Sequence, residues 1–157
     1  MSTPEVVGWR IVKAKHAATA FSGEGARLFE GRWNSSGVPI VYCSEHLSLA
    51  ALEILVHTRP VTLPDKFRLF RVVWNDALMT SLKESQLPKG WNTEPPGAAS
   101  KRVGNEWIKN ARSAVLALPS VIIPFERTFL LNPRHHDFQN IKITDRGDFI
   151  LDPRLRR

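Results

Sequence analysis

Only two stretches of this sequence carry a helical pattern, and no regular alternation of strand and helix links them. Leu47–His57 is almost wholly apolar, and Ser100–Arg112 puts Val103, Trp107 and Ile108 on one side. The other patterned runs are short, β-branched and aromatic: Val6–Val12, Val38–Cys43 and Phe67–Trp74. Ser113–Glu126 reads as two short apolar strands broken at Pro119–Ser120, the segment to Phe138 ends in a turn, and Asp148–Leu155 reads as a last strand. Phe21–Asn34 is glycine-rich and Leu87–Gly97 is rich in proline and glycine, so both read as loops. Strands and helices mixed in this way predict an α+β fold, a mostly antiparallel sheet with flanking helices, in one domain spanning residues 1–157.

Glu53 is the only charge between Leu47 and Val56. Ser44 is positioned to cap that helix, and Leu49, Ala50, Val56 and His57 are the helical neighbours of Glu53. A helix apolar all round is normally buried, and a buried carboxylate is rare unless paired. Two readings follow: a structural ion pair or a face that reaches water, and a catalytic carboxylate held rigidly at a cleft. Arg32 follows Gly31, where backbone can approach a ligand closely. Its planar fork suits phosphate or carboxylate, or it stacks on Trp33. Tyr42, the only tyrosine, is either core or a stacking surface for a flat ring. Ser120 either bonds nearby backbone or serves a site.

Several chemistries lack their signatures. No G-x-S-x-G, G-x-G-x-x-G or Walker motif occurs. His135 and His136 are adjacent in sequence, a weak arrangement for holding a metal, and no metal is expected. The single cysteine, Cys43, excludes an internal disulfide. No run approaches the roughly 18 apolar residues of a membrane helix, and "MSTPEVVGWR" lacks the layout of a signal peptide. A cytoplasmic protein without membrane contact is expected. The net charge of +7, from 22 basic and 15 acidic residues, favours an anionic partner without choosing one.

Taken in order, "GEGARLFEGRWNSSGVPIVYCSEHLSLAALEILVH", "LPSVIIPFERTFLLNPRHHDF" and the closing "LDPRL" resemble the RES domain family, named for an arginine, a glutamate and a serine. The resemblance covers nearly the whole chain and puts those residues at Arg32, Glu53 and Ser120, with the family's active-site tyrosine at Tyr42. It implies a fold related to the ADP-ribosyltransferase toxins and a toxin that cleaves the nicotinamide–ribose bond of NAD by hydrolysis or phosphorolysis. NAD is then a substrate, with no further cofactor. Glu53, Arg32, Tyr42 and Ser120 would be the catalytic set, Arg32, Tyr42, Arg27 and Ser120 would bind NAD, and Glu126 and Asn132 would support the site. The implied partner is an Xre-type antitoxin, with DNA reached only through it, and a homodimer is expected as the commonest symmetric state. A protein ADP-ribosyltransferase and a non-enzymatic basic nucleic-acid-binding module are the alternatives. One conflict stands. If Asn34–Gly37 closed a regular hairpin, Trp33 would pair with Val38 and Arg32 would point away from Tyr42, so a common site needs a bulge, a twist or a non-hairpin path.

Overall fold

A computed structural model describes residues 4–59 and 66–156. Residues 1–3, 60–65 and 157, which the expected domain also includes, lie outside the described residues. The sequence-expected α+β architecture is present. Among the described residues, seven strands form one sheet: β1 (Glu5–Lys13), β2 (Val41–Ser44), β3 (Phe67–Asn75), β4 (Met79–Ser81), β5 (Val115–Pro119), β6 (Arg127–Leu131) and β7 (Lys142–Phe149). Their order is β4-β5-β6-β2-β1-β3-β7, and every pairing is antiparallel except β4 with β5. The helices are α1 (Glu24–Leu28), α2 (Leu47–His57) and α3 (Ala98–Asn110).

The central strands are buried on both faces, and the two-residue period sorts their side chains. Val115, Ala117, Phe129 and Leu131 enter one core with Val41, Cys43, Val72 and Trp74. Leu116, Leu118 and Leu130 enter a second, with Trp33, Ile40, Trp91 and Trp107. Trp107 comes from α3, so α3 closes that second face. Trp33 and Trp91 stack there at 6.0 Å, a contact worth about 0.5–1.5 kcal/mol beyond its buried area. A third cluster seats α2 on the sheet, with Ala51, Ile54 and Leu55 against Ile11, Phe67, Phe149 and Leu151.

The β1–β2 ladder is brief, with the single register pair Trp9↔Ser44. Arg10 ties the seam by side chain instead. Its Nε donates to Ala20 O at 2.7 Å and its Nη1 to Tyr42 O at 2.8 Å.

Several boundaries differ from the sequence expectation, each for a local reason. Helix α2 runs over the expected residues, but Ser44 does not cap it. Ser44 ends β2, Glu45 N donates to Arg127 O, and His46 takes the cap position without a side-chain bond. Nor is α2 fully buried. Leu49 and Ala50 are its buried residues, while Leu52 and Val56 face solvent. Val38–Ile40 is not strand, because Val38 N closes a turn onto Ser35 O and Pro39 has no N–H to give a ladder. Val121–Glu126 is a turn rather than a second strand, and the next strand begins at Arg127. The last strand is Lys142–Phe149, not Asp148–Leu155. It is an open edge, and edges are often polar and charged, so no apolar alternation marks it. Beyond it, Asp152 Oδ1 accepts from Arg154 N and turns the chain.

Candidate active site

A cavity of about 660 Å³ opens beside the β1–β2 seam, within the size range of small-molecule sites. Its lining includes Trp9, Tyr42 and Ser44 from the strands, Glu53 and His57 from α2, the turn Glu30–Trp33, and Glu94–Pro96. Arg32, Tyr42 and Glu53 therefore meet in one cavity.

The path that brings Arg32 to Tyr42 is not a hairpin. Strand β2 pairs with β6, and with β1 at Ser44. The chain before it forms a tight turn in which Gly31 bridges Asn34. Asn34 is buried and organises this turn. Its Oδ1 accepts from Gly31 N at 3.1 Å and from the Tyr42 hydroxyl, and its Nδ2 donates to Ala26 O at 2.8 Å and Ser35 O at 3.2 Å. The Tyr42 oxygen in turn accepts from Trp33 N at 3.2 Å. A Cβ on Gly31 would stand 2.8 Å from the Tyr42 hydroxyl. The glycine thus admits the protein's own tyrosine. Burial pushes the Tyr42 phenol well above its ordinary value, with the Glu53 carboxylate adding to the shift, while the Trp33 hydrogen bond and the Arg32 charge oppose it. Tyr42 stays protonated, and it offers the cavity a ring rather than a base.

Arg32 does not stack on Trp33, which stacks on Trp91. The Arg32 Nη1 donates to Trp91 O at 3.1 Å and Thr93 O at 2.8 Å, and its Nη2 to Glu94 Oε2 at 2.9 Å. The arginine side chain is 13% exposed and that of Glu94 is 76% exposed. The carbonyls fix the guanidinium, and the carboxylate is a solvent-facing partner.

Glu53 is half-buried, and its Oε2 lies 3.2 Å from His57 Nε2, one helical turn on. Bonding to Glu53 raises the His57 pKa, against an opposing effect of burial. Glu30 and Lys101, from α3, form a further ion pair at the cavity at 3.1 Å. The Cys43 thiol, also at the cavity, is pushed up to about 12 by burial and is no nucleophile at neutral pH.

The other expected residues lie elsewhere. Ser120 is buried, and its Oγ accepts from Ile122 N at 3.1 Å and Ile123 N at 3.2 Å. It shapes the turn whose Val121 and Ile122 line the cavity, without lining it itself. Arg27 is half-exposed and bonds Glu24 through both carboxylate oxygens. Glu126 reaches His46 at 2.9 Å. Asn132 is buried past the end of β6, where its Oδ1 accepts from Arg134 N at 3.0 Å. His135, His136 and Asp137 bring ligand-type atoms within 4.8 Å of one another. However, His135 Nε2 contacts Ala111 O at 3.0 Å and its Nδ1 accepts from Asp137 N at 3.0 Å. That tautomer leaves His135 no lone pair for a metal. Sequence reasoning missed Asn34, Glu94, Lys101 and the pairing role of His57. Only His57 had a readable signal, its four-residue spacing from Glu53.

Comparison with known proteins gives a family. The RES domain matches residues 7–152. A protein named "Toxin Res" from Yersinia enterocolitica is 35% identical over 94% of this chain and 98% of its own length. Another of that name from Photorhabdus laumondii is 36% identical, over 94% and 95%. A "Prs ADP-ribosylating toxin" from Sphingobium sp. is 38% identical, over 95% and 96%. No helix among the described residues is long and apolar enough to cross a membrane.

Proposed function

This chain belongs to the RES domain family, and from that premise we propose that it is a toxin that consumes NAD by cleaving the bond between nicotinamide and ribose. The observation that carries the reading is the convergence of Arg32, Tyr42 and Glu53 on one cavity of suitable size. Cleavage at C1′ passes through a cation-like ribose. Nicotinamide leaves neutral with the bonding electron pair, so no acid is needed for its departure. Water or phosphate then bonds C1′ and releases a proton. The site must supply negative charge beside the developing cation, and Glu53 supplies it from a helix packed on the sheet. The Tyr42 ring packs the nicotinamide or the ribose. An antitoxin, of the Xre type, is the proposed partner. Homodimerisation and a cytoplasmic location are proposed with it.

Arg32 would hold the diphosphate, and the anion must then displace Glu94. With its carboxylate in solvent the pair is weak, holding by about 0.2–1 kcal/mol. Glu94→Gln is therefore expected to lower the KM for NAD by up to about fivefold with kcat unchanged, as steady-state kinetics will read. Ser120 would act through the turn it bonds. Ser120→Ala leaves two backbone donors unmet at about 1 kcal/mol each, and denaturant unfolding should detect that loss. The activity lost should be far smaller than for a change at Glu53.

The test is chromatography of NAD and its products with purified protein, with and without phosphate. Free ADP-ribose marks hydrolysis, and ADP-ribose 1″-phosphate marks phosphorolysis. A second reading, transfer of ADP-ribose to protein, is supported by the name of the Sphingobium relative. Label fixed on a protein acceptor would favour it. Intact NAD with no labelled acceptor and no binding would remove both, leaving salt-dependent nucleic-acid binding to be measured.

A further inference from the structure

Both oxygens of a carboxylate matter when one must meet a substrate. On α2, the nearest approach of Glu53 to His57 is between Oε2 and Nε2, at 3.2 Å. The two side chains are 32% and 71% exposed, and both line the cavity. His57 is the last residue of α2 and the more exposed of the two, and Glu53 lies one turn before it. We infer that His57 is the positioning residue for Glu53: it pins Oε2 so that Oε1 is left for the ribose, and when protonated it masks the charge that Glu53 must present. The inference rests on the NAD-cleaving reading of the site.

The masking follows from electrostatics. A carboxylate that stabilises a cation loses much of its field when an imidazolium lies 3.2 Å away. The uncharged ring keeps one N–H to donate, so orientation survives deprotonation. The groups facing His57 are Glu53 and Glu94, which favour its charged form, and Arg32, which opposes it. The net direction is upward from the ordinary value of 6.5. The protonated, masked form therefore persists above pH 6.5, and activity rises as pH climbs through the raised value. As a plain structural pair at an exposed helix position it would be worth only a few tenths of a kcal/mol, with no bearing on the pH profile.

The experiment is kcat and KM for NAD between pH 5.5 and 9 for wild type, His57→Gln and His57→Ala. Thermal melts of all three check the fold. Wild-type kcat should rise through an inflection above 6.5. Glutamine keeps a donor and cannot titrate, so it should hold kcat near the wild-type plateau and abolish the inflection. Alanine should lose on the order of 10-fold or more in kcat, because the carboxylate is no longer oriented, with KM little changed. An inflection that survives in His57→Gln, or an alanine variant as fast as wild type, overturns the inference while the NAD reading stands. Wild type that consumes no NAD at any pH overturns that reading first, and this inference falls with it.

Discussion

Glu53→Gln is expected to slow NAD consumption by about 10²–10³-fold, the loss typical of one electrostatic stabiliser, while the melting temperature stays within about 4 °C of wild type. The two expectations rest on different properties of the same residue. Glutamine matches glutamate in shape and keeps an oxygen and an amide for hydrogen bonds, so the packing of α2 on Ile11 and Phe67 is undisturbed. The lost ion pair with His57 is largely exposed, and such pairs contribute about 0–1 kcal/mol. The charge is what the substitution removes. If kcat falls and KM holds, the lost interaction belongs to the transition state. A variant as active as wild type would return Glu53 to a structural pair with His57. Parallel loss of stability and rate would mean instead that α2 needs the charge to fold.

Helix α2 and the strand holding Tyr42 were legible because their signals are local: an apolar run of helical length, and a β-branched run ending in Tyr42 and Cys43. The meeting of Arg32 with Tyr42 was not. A regular hairpin sends them to opposite sides, and the real turn depends on four hydrogen bonds from the Asn34 side chain. Those reach Ala26 and Tyr42, contacts no local pattern encodes. Ser120 illustrates a different gap. Its place in the family motif is readable, but whether a buried hydroxyl turns toward a cavity or toward its own backbone is settled by the fold of the following turn. Strand β7 was misplaced because an edge strand needs little burial, so its polar residues carry no period. His57 was visible as a helical neighbour of Glu53, and spacing alone does not say which of the two pairs with a substrate.

Gly104→Ala should be the most damaging glycine-to-alanine change among the described residues. In an exposed helix the same change is stabilising by about 0.5–1 kcal/mol, because glycine has more backbone freedom to lose. Here the sign reverses. A Cβ on Gly104 would lie 1.8 Å from the Trp33 carbonyl oxygen and 2.9 Å from its carbon. The atoms in the way are backbone, so no rotamer relieves the clash, and α3 must move away from the turn. That movement strains a dense set of bonds. Ser100 Oγ donates to Arg32 O at 2.7 Å, Ser35 N donates to Asn105 Oδ1 at 3.0 Å, and Asn105 Nδ2 donates to Ser35 Oγ at 2.8 Å. Overpacking of this kind costs about 1–3 kcal/mol and sometimes more, and a backbone obstacle puts it at the upper end. At about 2–4 °C per kcal/mol for a chain of this size, the melting temperature should fall by roughly 6–12 °C. Gly25 supplies the contrast, since nothing lies within 4 Å of a Cβ there, and Gly25→Ala should leave the melt unchanged or raise it. The same displacement carries Arg32 and Trp33 out of register with Tyr42, so Gly104→Ala that folds at low temperature should bind NAD more weakly. A Gly104→Ala protein as stable as wild type would mean that α3 does not rest on the Arg32 turn, and the cavity would then need another wall.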